Sequence, residues 1–336
     1  MRRIAPKHGT SSPPHLVSQM HARSGSRSSI IKHRTSSPPR SSSPVDIPPQ
    51  KVSLFVGNQA PFKGQRANVK DYEEPVPTLL LKVIREYSAS IWACHPFPSQ
   101  QQQGGWANSM WYNVSRQDPE GAYVLTERMR KLITSRGSHA RGYLKDKICP
   151  LVGPAYGFKT LTDKPAIIAK NLKIYTSLIS NSSFHYKDPC SLSGYCGHSI
   201  ILDAVRGIWF NNQAAPGLEF SSYFSPIRIV SLALILTAIE FCIQEFSTGR
   251  FVQAVFDEKD NKLRFEAHLQ DLMEWAELKP DITDKILQKM HDRCRKGTGA
   301  AMDLGGCLND KTRQRALLEL EARTGDTDTD SNEEGR

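Results

Sequence analysis

Long apolar runs and sorting signals are what this chain most clearly lacks. Its 336 residues contain no stretch of about 18 or more apolar residues, which excludes a membrane-spanning helix. The N-terminus is basic but has no apolar core, so we expect no secretory signal peptide. The seven cysteines are odd in number and widely scattered, which does not fit a disulfide framework and favours an intracellular protein.

The motifs of common catalytic chemistries are missing as well. The sequence has no Gly-x-Ser-x-Gly elbow, no phosphate loop ending in Gly-Lys-Ser/Thr, no Gly-x-Gly-x-x-Gly and no His-Glu-x-x-His. We therefore predict no catalytic residue and no cofactor, and favour a protein that is not an enzyme. An enzyme would need a concave pocket lined by convergent polar groups, for which the region around His185 and His198 is the candidate.

The composition divides the chain into four segments. Residues 1–50 carry a net charge of +7 and are rich in Ser and Pro, which predicts a disordered basic arm. Residues 324–336 carry −4 and predict a short acidic disordered tail. Between them we expect an irregular segment with one helix at 51–117 and a helical domain at 118–323.

Three serines of the basic arm directly precede proline: Ser12, Ser37 and Ser43. Each resembles a proline-directed phosphorylation site, and each phosphate would add about −1.5 to −2 charges. Three phosphates would largely cancel the +7 of the arm, which suggests a charge switch. The alternative is an inert tail of biased composition.

The middle of the chain has helical periodicity and few strand signals. We predict a helix over 78–93, a flexible loop over 100–105, and a helix from Asp118 to about Cys149 with a break near Gly137. A further helix starts at Pro165 and repeats apolar residues on one face, and another resumes near Gly197. The predicted face of the former consists of Ile168, Leu172, Tyr175 and Ile179.

The most apolar segment lies at 226–247, and it predicts a helix buried in the middle of a bundle because no polar face is available for solvent. Helices at about 261–278 and 281–295 follow, with a weak last one at 310–322. The fold class expected is therefore all-α, an irregular multi-helix bundle around this central helix, with disordered tails at both ends.

The order of several motifs resembles a known family. The segments that carry the resemblance run from Leu151 to Phe158, from Phe184 to Pro189, and through Phe224-Ser-Pro-Ile-Arg and Leu236-Thr-Ala-Ile to Thr248-Gly249. They are similar to an uncharacterised domain family of mushroom-forming fungi, over roughly 120–280. The resemblance implies a fungal source and a helical domain, and it transfers no functional residue.

Two sets of His and Cys residues have the composition of a zinc site. The first consists of His185, Cys190, Cys196 and His198, which supply the four N and S donors of a structural zinc tetrahedron. Its cysteine spacing is unlike that of a standard finger, and the alternative is ordinary thiols and packed imidazoles. The second set is weaker, with three donors: His291, Cys294 and Cys307.

The basic stretch 127–147 is the strongest functional signal. It contains seven cations against two acids, with His139 and Tyr143 interleaved. A helical pair of this charge could follow a phosphate backbone, and the alternative is a solvated helix face. The candidate polyanion-binding residues are Arg128, Arg130, Lys131, Arg136, Arg141, Lys145 and Lys147.

These features predict an intracellular helical protein, in the nucleus rather than the cytoplasm, that associates with nucleic acid without sequence specificity. The alternative is a protein–protein interaction module with no catalytic activity. The two hypotheses differ in whether Arg128, Arg130, Lys131, Arg136 and Arg141 converge on one surface. A structural zinc ion is the alternative to the absence of a cofactor.

Overall fold

A computed structural model describes residues 51–62, 64–119, 121–160 and 163–298 of the chain. Within these ranges the chain is helical and forms no strand, only isolated bridges such as that between Lys51 and Tyr123. The predicted all-α fold is confirmed. The basic arm, the acidic tail and the predicted helix at 310–322 lie outside the described residues.

Among the helices of the described residues, none is long and apolar enough to cross a membrane. In chain order they are α1 Val76–Ala93, α2 Gln100–Ser115, α3 Glu127–Thr134, α4 Arg136–Tyr156, α5 Pro165–Ile179, α6 Ser199–Trp209, α7 Pro216–Glu219, α8 Ser221–Phe224, α9 Ile229–Gln244, α10 Glu258–Leu278 and α11 Pro280–Lys296.

Helix α9 is the centre of the bundle, as the sequence predicts. From Ser231 to Ile243 every side chain except that of Glu240 is buried. The helix is surrounded by α1, α4, α6 and α10. A helix that is apolar on all sides is stable only inside such a bundle. The buried hydroxyl of Thr237 is satisfied locally, because it donates to Ala233 O at 2.8 Å.

Residues 100–105 start helix α2, so the prediction of a flexible loop there is wrong. Ser99 and Gln102 form a capping box: the Ser99 side chain accepts from the Gln102 N–H, and the Gln102 side chain accepts from the Ser99 N–H. Further along, Met110, Trp111 and Val114 are buried. This packing stabilises a helix that its two glycines would weaken, and the segment 51–117 therefore holds two helices.

The predicted helix start at Asp118 is also wrong. Residues 122–124 are held extended instead, because Lys51 donates to Ala122 O at 2.8 Å and accepts from Val124 N at 2.9 Å. Helix α3 begins at Glu127, where Thr126 caps it by accepting from the Met129 N–H. The predicted break near Gly137 is confirmed, since α3 and α4 are separated at Ser135, two residues earlier.

Helix α4 extends beyond the predicted end at Cys149 to Tyr156 and ends at Gly157, whose φ is 83°. Pro150 and Pro154 lie inside it. Each proline removes one helical hydrogen bond. The two prolines are four residues apart, so they lie on the same side of the helix, and both are exposed. The carbonyls left without a donor can therefore be hydrated, which is why the helix continues through them.

Helix α5 forms as expected from Pro165, and Tyr175 and Ile179 of its predicted face are half-buried against the core, but the rest of the inward face differs. Leu172 is exposed, whereas Asn171 and Leu178 are buried. The Asn171 amide donates to Lys159 O at 2.8 Å and to Gly249 O at 2.9 Å. These hydrogen bonds turn a polar residue toward the bundle, and the apolar periodicity alone does not reveal them.

Candidate functional site

The basic stretch 127–147 falls on helices α3 and α4, which meet at Ser135. Whether its cations act together depends on where each side chain points. The structure divides them into three groups: two are buried against acidic partners, two are anchored at the surface of α3, and three make no ion pair within the described residues.

Arg141 and Lys145 face the interior of the bundle. The Arg141 guanidinium donates to Pro96 O at 2.8 Å, pairs with Glu258 at 3.2 Å and lies over the Phe97 ring. Lys145 Nζ lies 3.1 Å from Glu245 Oε1, and both side chains are almost fully buried. Burial alone would lower the pKa of Lys145, but the hydrogen bond and charge of Glu245 raise it instead. These two cations hold the fold together and are not available to a polyanion.

Arg128 and Arg130 are half-buried and anchored to neighbours. Arg128 pairs with Asp71 at 2.6 Å and donates to the carbonyls of Gln65 and Arg66. Arg130 pairs with Glu127 and donates to Asn108 Oδ1. Arg128 therefore fixes the loop before α1 against α3, and its charge is partly neutralised by Asp71.

The remaining cations of the stretch lie on the outer side of α3 and α4. Arg136, His139, Tyr143 and Lys147 follow one another at helical spacing on one side of α4, and we call them the α4 stripe. Arg136 is half-buried and the others are exposed. Lys147 Nζ lies over the Tyr143 ring at 5.3 Å. The stripe spans about 16 Å along the helix axis.

A basic groove adjoins this stripe. It has a volume of about 590 Å³ and lies between α3 and the loop at residues 64–67. Arg66, Arg128 and Lys131 line it, with Glu127 as its acidic residue, and Ser135 at its end directly precedes Arg136 of the stripe. The groove therefore ends where helix α4 and its stripe begin, and its lining has three cations against one acid.

The structure brings together two of the four residues in the first predicted zinc set. Cys196 Sγ lies 3.6 Å from His185 Nδ1, and both residues are buried. Cys190 is exposed, and the His198 ring stacks on Tyr156 while its Nδ1 accepts from the Ile200 N–H at the start of α6. Within the described residues, these four side chains do not form a group that could enclose one metal ion.

His185 is instead enclosed by aromatic rings. Its ring centroid lies 4.7 Å from that of Tyr195 and 4.6 Å from that of Tyr186. Burial, with the nearby charge of His268, lowers the pKa of His185 to about 4. The imidazole is therefore neutral at physiological pH and serves as a packed core residue.

The second predicted zinc set and the serine sites extend beyond the described residues. His291 is buried against the Phe210 ring, and Cys294 lies on the inner face of α11, 3.9 Å from Leu202 O. Cys307 and the three serines Ser12, Ser37 and Ser43 lie outside the described residues. Their predicted roles stay predictions.

Sequence reasoning missed a cluster that joins α4 to the end of α9. Cys149 of α4 lies beside Cys242 and Glu245, and Cys149 also lines a cavity of about 610 Å³. Lys145 and Cys149 line the cavity together with Pro150, Pro154, Phe158 and Phe246. Cys149 is far along the chain from Cys242 and Glu245, so no local spacing in the sequence could have indicated this cluster.

Taken together, the described residues define an all-helical domain built around one buried helix, with a basic surface on α3 and α4. The chain belongs to a domain family of unknown function, DUF6532, which it matches over residues 82–275. The match starts inside α1 and ends inside α10, so the family domain includes α2, which the resemblance at 120–280 left out. No curated protein and no solved structure matches this chain. The fungal source that the resemblance implies stays a prediction.

Proposed function

We propose that this protein binds polyanions, nucleic acid in the first place, without sequence specificity. The proposal rests on the basic groove and on the α4 stripe, which starts at Arg136, directly after Ser135 at the end of the groove. Within the described residues Lys131, Arg136 and Lys147 make no ion pair, so their charges are available to phosphates. The basic arm at 1–50, with its net charge of +7, would add a second set of contacts with phosphates.

The chemistry of this surface favours phosphate contacts over base reading. Lysine and arginine side chains that neutralise phosphates release counterions, and this gives affinity without sequence information. Tyr143 is 36 % exposed with Lys147 Nζ over its ring, so an unpaired base can stack there once Lys147 turns toward a phosphate. A nucleic-acid role also makes the nucleus the expected site of action, in preference to the cytoplasm.

The test is binding of the full chain to a labelled DNA duplex of mixed sequence over a series of salt concentrations. Lys131→Glu with Lys147→Glu reverses two exposed charges of the proposed surface. Lys170→Glu with Lys173→Glu reverses two exposed charges on α5 and is matched in net charge. Loss of two phosphate contacts should reduce the slope of log K against log[salt] by about 2 and weaken binding by about tenfold or more.

The matched pair separates a located surface from a general effect of net charge. If both double variants weaken binding equally, the groove and stripe are not the binding surface. If the unaltered chain binds no better than ~10⁻⁴ M at physiological salt with a shallow slope, the polyanion proposal fails as a whole.

A protein–protein interaction module is the second candidate. Three apolar side chains favour it, since Leu278, Ile282 and Ile286 at the α10–α11 junction are 79 %, 50 % and 41 % exposed. Ile282 and Ile286 share one face of α11, as residues four apart do. Two results together would favour this function. The chain would fail to bind the duplex, and its self-association or partner binding would be lost in the double variant Ile282→Asn/Ile286→Asn.

A further inference from the structure

The cluster beside the α4 cavity has the donor chemistry of a metal site. Cys149, Cys242 and Glu245 each offer one ligand atom, and these three atoms all lie within 4.8 Å of one another. Cys149 Sγ is 3.3 Å from Glu245 Oε2. Thiolates and a carboxylate are ligands that Zn²⁺ accepts, and soft sulfur donors favour it over Mg²⁺ or Ca²⁺.

We propose that Cys149, Cys242 and Glu245 bind one Zn²⁺ ion, with the fourth position of the tetrahedron open toward the cavity. Three protein ligands and one open position are the arrangement of zinc sites that bind a water or a small molecule. This site is different from the polyanion surface and does not depend on it.

The spacing of the donors fits a zinc tetrahedron. With Zn–S bonds of about 2.3 Å and a Zn–O bond of about 2.1 Å, the edges are about 3.8 Å between two sulfurs and about 3.6 Å between sulfur and oxygen. The separation of 3.3 Å between Cys149 Sγ and Glu245 Oε2 is close to the second value. No two of the three donor atoms are more than 4.8 Å apart. The two sulfurs therefore need to approach each other by about 1 Å or less to reach the sulfur–sulfur edge of about 3.8 Å.

The two carboxylate oxygens of Glu245 have different hydrogen-bond partners. Oε1 is held by Lys145 Nζ at 3.1 Å and by the Ala254 N–H at 2.8 Å. Oε2 accepts only from Cys149 among the hydrogen bonds of the described residues, and this thiol proton leaves when the metal binds. Lys145 and Ala254 therefore orient the carboxylate from the outer shell, in the manner of the second shell of known metal sites.

The charges of the occupied site would balance. Two thiolates and one carboxylate contribute −3, the ion +2 and the buried Lys145 ammonium +1, so the buried group is neutral as a whole. Zn²⁺ displaces one proton from each thiol, and both protons are released to solvent.

The cavity supplies the entry path. Cys149 is half-buried and lines it, whereas Cys242 and Glu245 are buried behind, with Glu245 3 % exposed. Phe158 and Phe246 line the same cavity, with their rings stacked at 4.3 Å between centroids. An ion can therefore reach the Cys149 thiol from the cavity, and Cys242 and Glu245 would complete the site from inside the bundle.

The experiment is a titration of the full chain, reduced and metal-free, with Co²⁺ alone as a spectroscopic probe, followed by displacement with Zn²⁺. We expect one Co²⁺ per chain, with the near-ultraviolet charge-transfer band of thiolate ligands and the visible bands of tetrahedral cobalt. Cys149→Ser and Cys242→Ala should each weaken binding by more than the 10- to 100-fold that loss of an outer-shell partner costs.

Cys190→Ser is the matched control, because Cys190 is exposed and belongs to the zinc set predicted from sequence. It should leave the titration unchanged. Loss of the band in Cys190→Ser, or its retention in both Cys149→Ser and Cys242→Ala, would overturn the proposal. A Zn²⁺-dependent rise in the melting temperature of the unaltered chain, lost in Cys149→Ser while that variant still melts cooperatively, separates a lost ligand from a lost fold.

X-ray absorption at the zinc edge gives a readout that needs no variant. The proposal requires two sulfur and two lighter scatterers around the ion. Absence of sulfur scatterers, or a flat cobalt titration of the unaltered chain, refutes the site and leaves the polyanion proposal untouched, since neither Lys131 nor Lys147 contacts this cluster.

Discussion

Lys145 illustrates how burial decides the role of a charged residue. In the sequence it is one of seven cations in a basic stretch, and nothing marks it as different. In the fold its ammonium lies 3.1 Å from Glu245 Oε1, with the two side chains 7 % and 1 % exposed. Removing two charges from water is costly, so each is tolerated only because the other is there.

We predict that Lys145→Met lowers the free energy of unfolding by about 3–5 kcal/mol, because it leaves the Glu245 charge buried and unpaired. Lys145→Met combined with Glu245→Gln should cost clearly less than the sum of the two single changes, since no buried charge then lacks a partner. Urea unfolding of the four proteins measures this coupling. Strictly additive costs would show that the pair does not interact.

His185 should make the protein sensitive to acid. Its pKa is about 4 in the fold and 6.5 in an unfolded chain, so below pH 6.5 the unfolded chain binds a proton that the folded chain excludes. The free energy of unfolding should therefore fall by about 1.4 kcal/mol per pH unit as the pH drops from about 6.5 toward about 4.

The measurement is urea unfolding at several pH values between 7 and 4.5 for the unaltered chain and for His185→Gln. The variant should lose less stability over this interval, by about 2 kcal/mol or more. His139→Gln, on the exposed side of α4, is the control and should behave like the unaltered chain. Equal acid sensitivity in all three proteins would assign it to other groups.

At the scale of the element, α2 shows how local composition can mislead. Its first six residues read Gln-Gln-Gln-Gln-Gly-Gly, which is typical of a loop. The reciprocal bonds of Ser99 and Gln102 and the burial of Trp111 outweigh the cost of the glycines. Propensity is a weak preference, and capping with tertiary packing overrides it.

Two glycines provide a paired test of these local requirements. Gly105 lies inside α2, and a Cβ there meets nothing within 4 Å, so Gly105→Ala should raise the free energy of unfolding by about 0.5–1 kcal/mol. Gly249 has φ +78° and a Cβ there would lie 2.5 Å from Ile168 O, so Gly249→Ala should be destabilising.

Thermal or urea unfolding of both variants checks the pair. Opposite signs would confirm that the first glycine only weakens a helix and the second is required by the close approach of α5. If Gly105→Ala destabilises the protein, α2 does not continue through residues 104–105 under the conditions of the measurement.

At the scale of the whole molecule, the excess of positive charge has two main sources. The arm at 1–50 carries +7, and the groove and stripe add the unpaired cations of α3 and α4. Acidic substitutions in the arm therefore probe its share of the binding. Ser12→Asp, Ser37→Asp and Ser43→Asp together reduce the arm to +4.

This triple variant should reduce the salt slope of duplex binding by up to about 3 and weaken binding at low salt, because three charges of the arm are cancelled. The triple Ser→Ala variant at the same positions changes no charge and should bind like the unaltered chain. No difference between the two triple variants would count against a charge switch in the arm.

The sequence by itself determined the all-α class, the buried central helix and the approximate positions of α1, α6, α10 and α11. These follow from apolar periodicity and capping, which act over a few residues and are therefore visible locally. The cysteine spacing around Cys190 was also visible, yet the fold brings only His185 and Cys196 of that set into contact.

Only the tertiary structure decided which charges face solvent and which side chains meet. Arg141 and Lys147 look alike in the sequence, but one side of α4 packs on the bundle and the other does not. Cys149 and Cys242 come together because α4 packs against α9. Such encounters depend on how helices far apart in the chain are packed, and no short-range pattern encodes that arrangement.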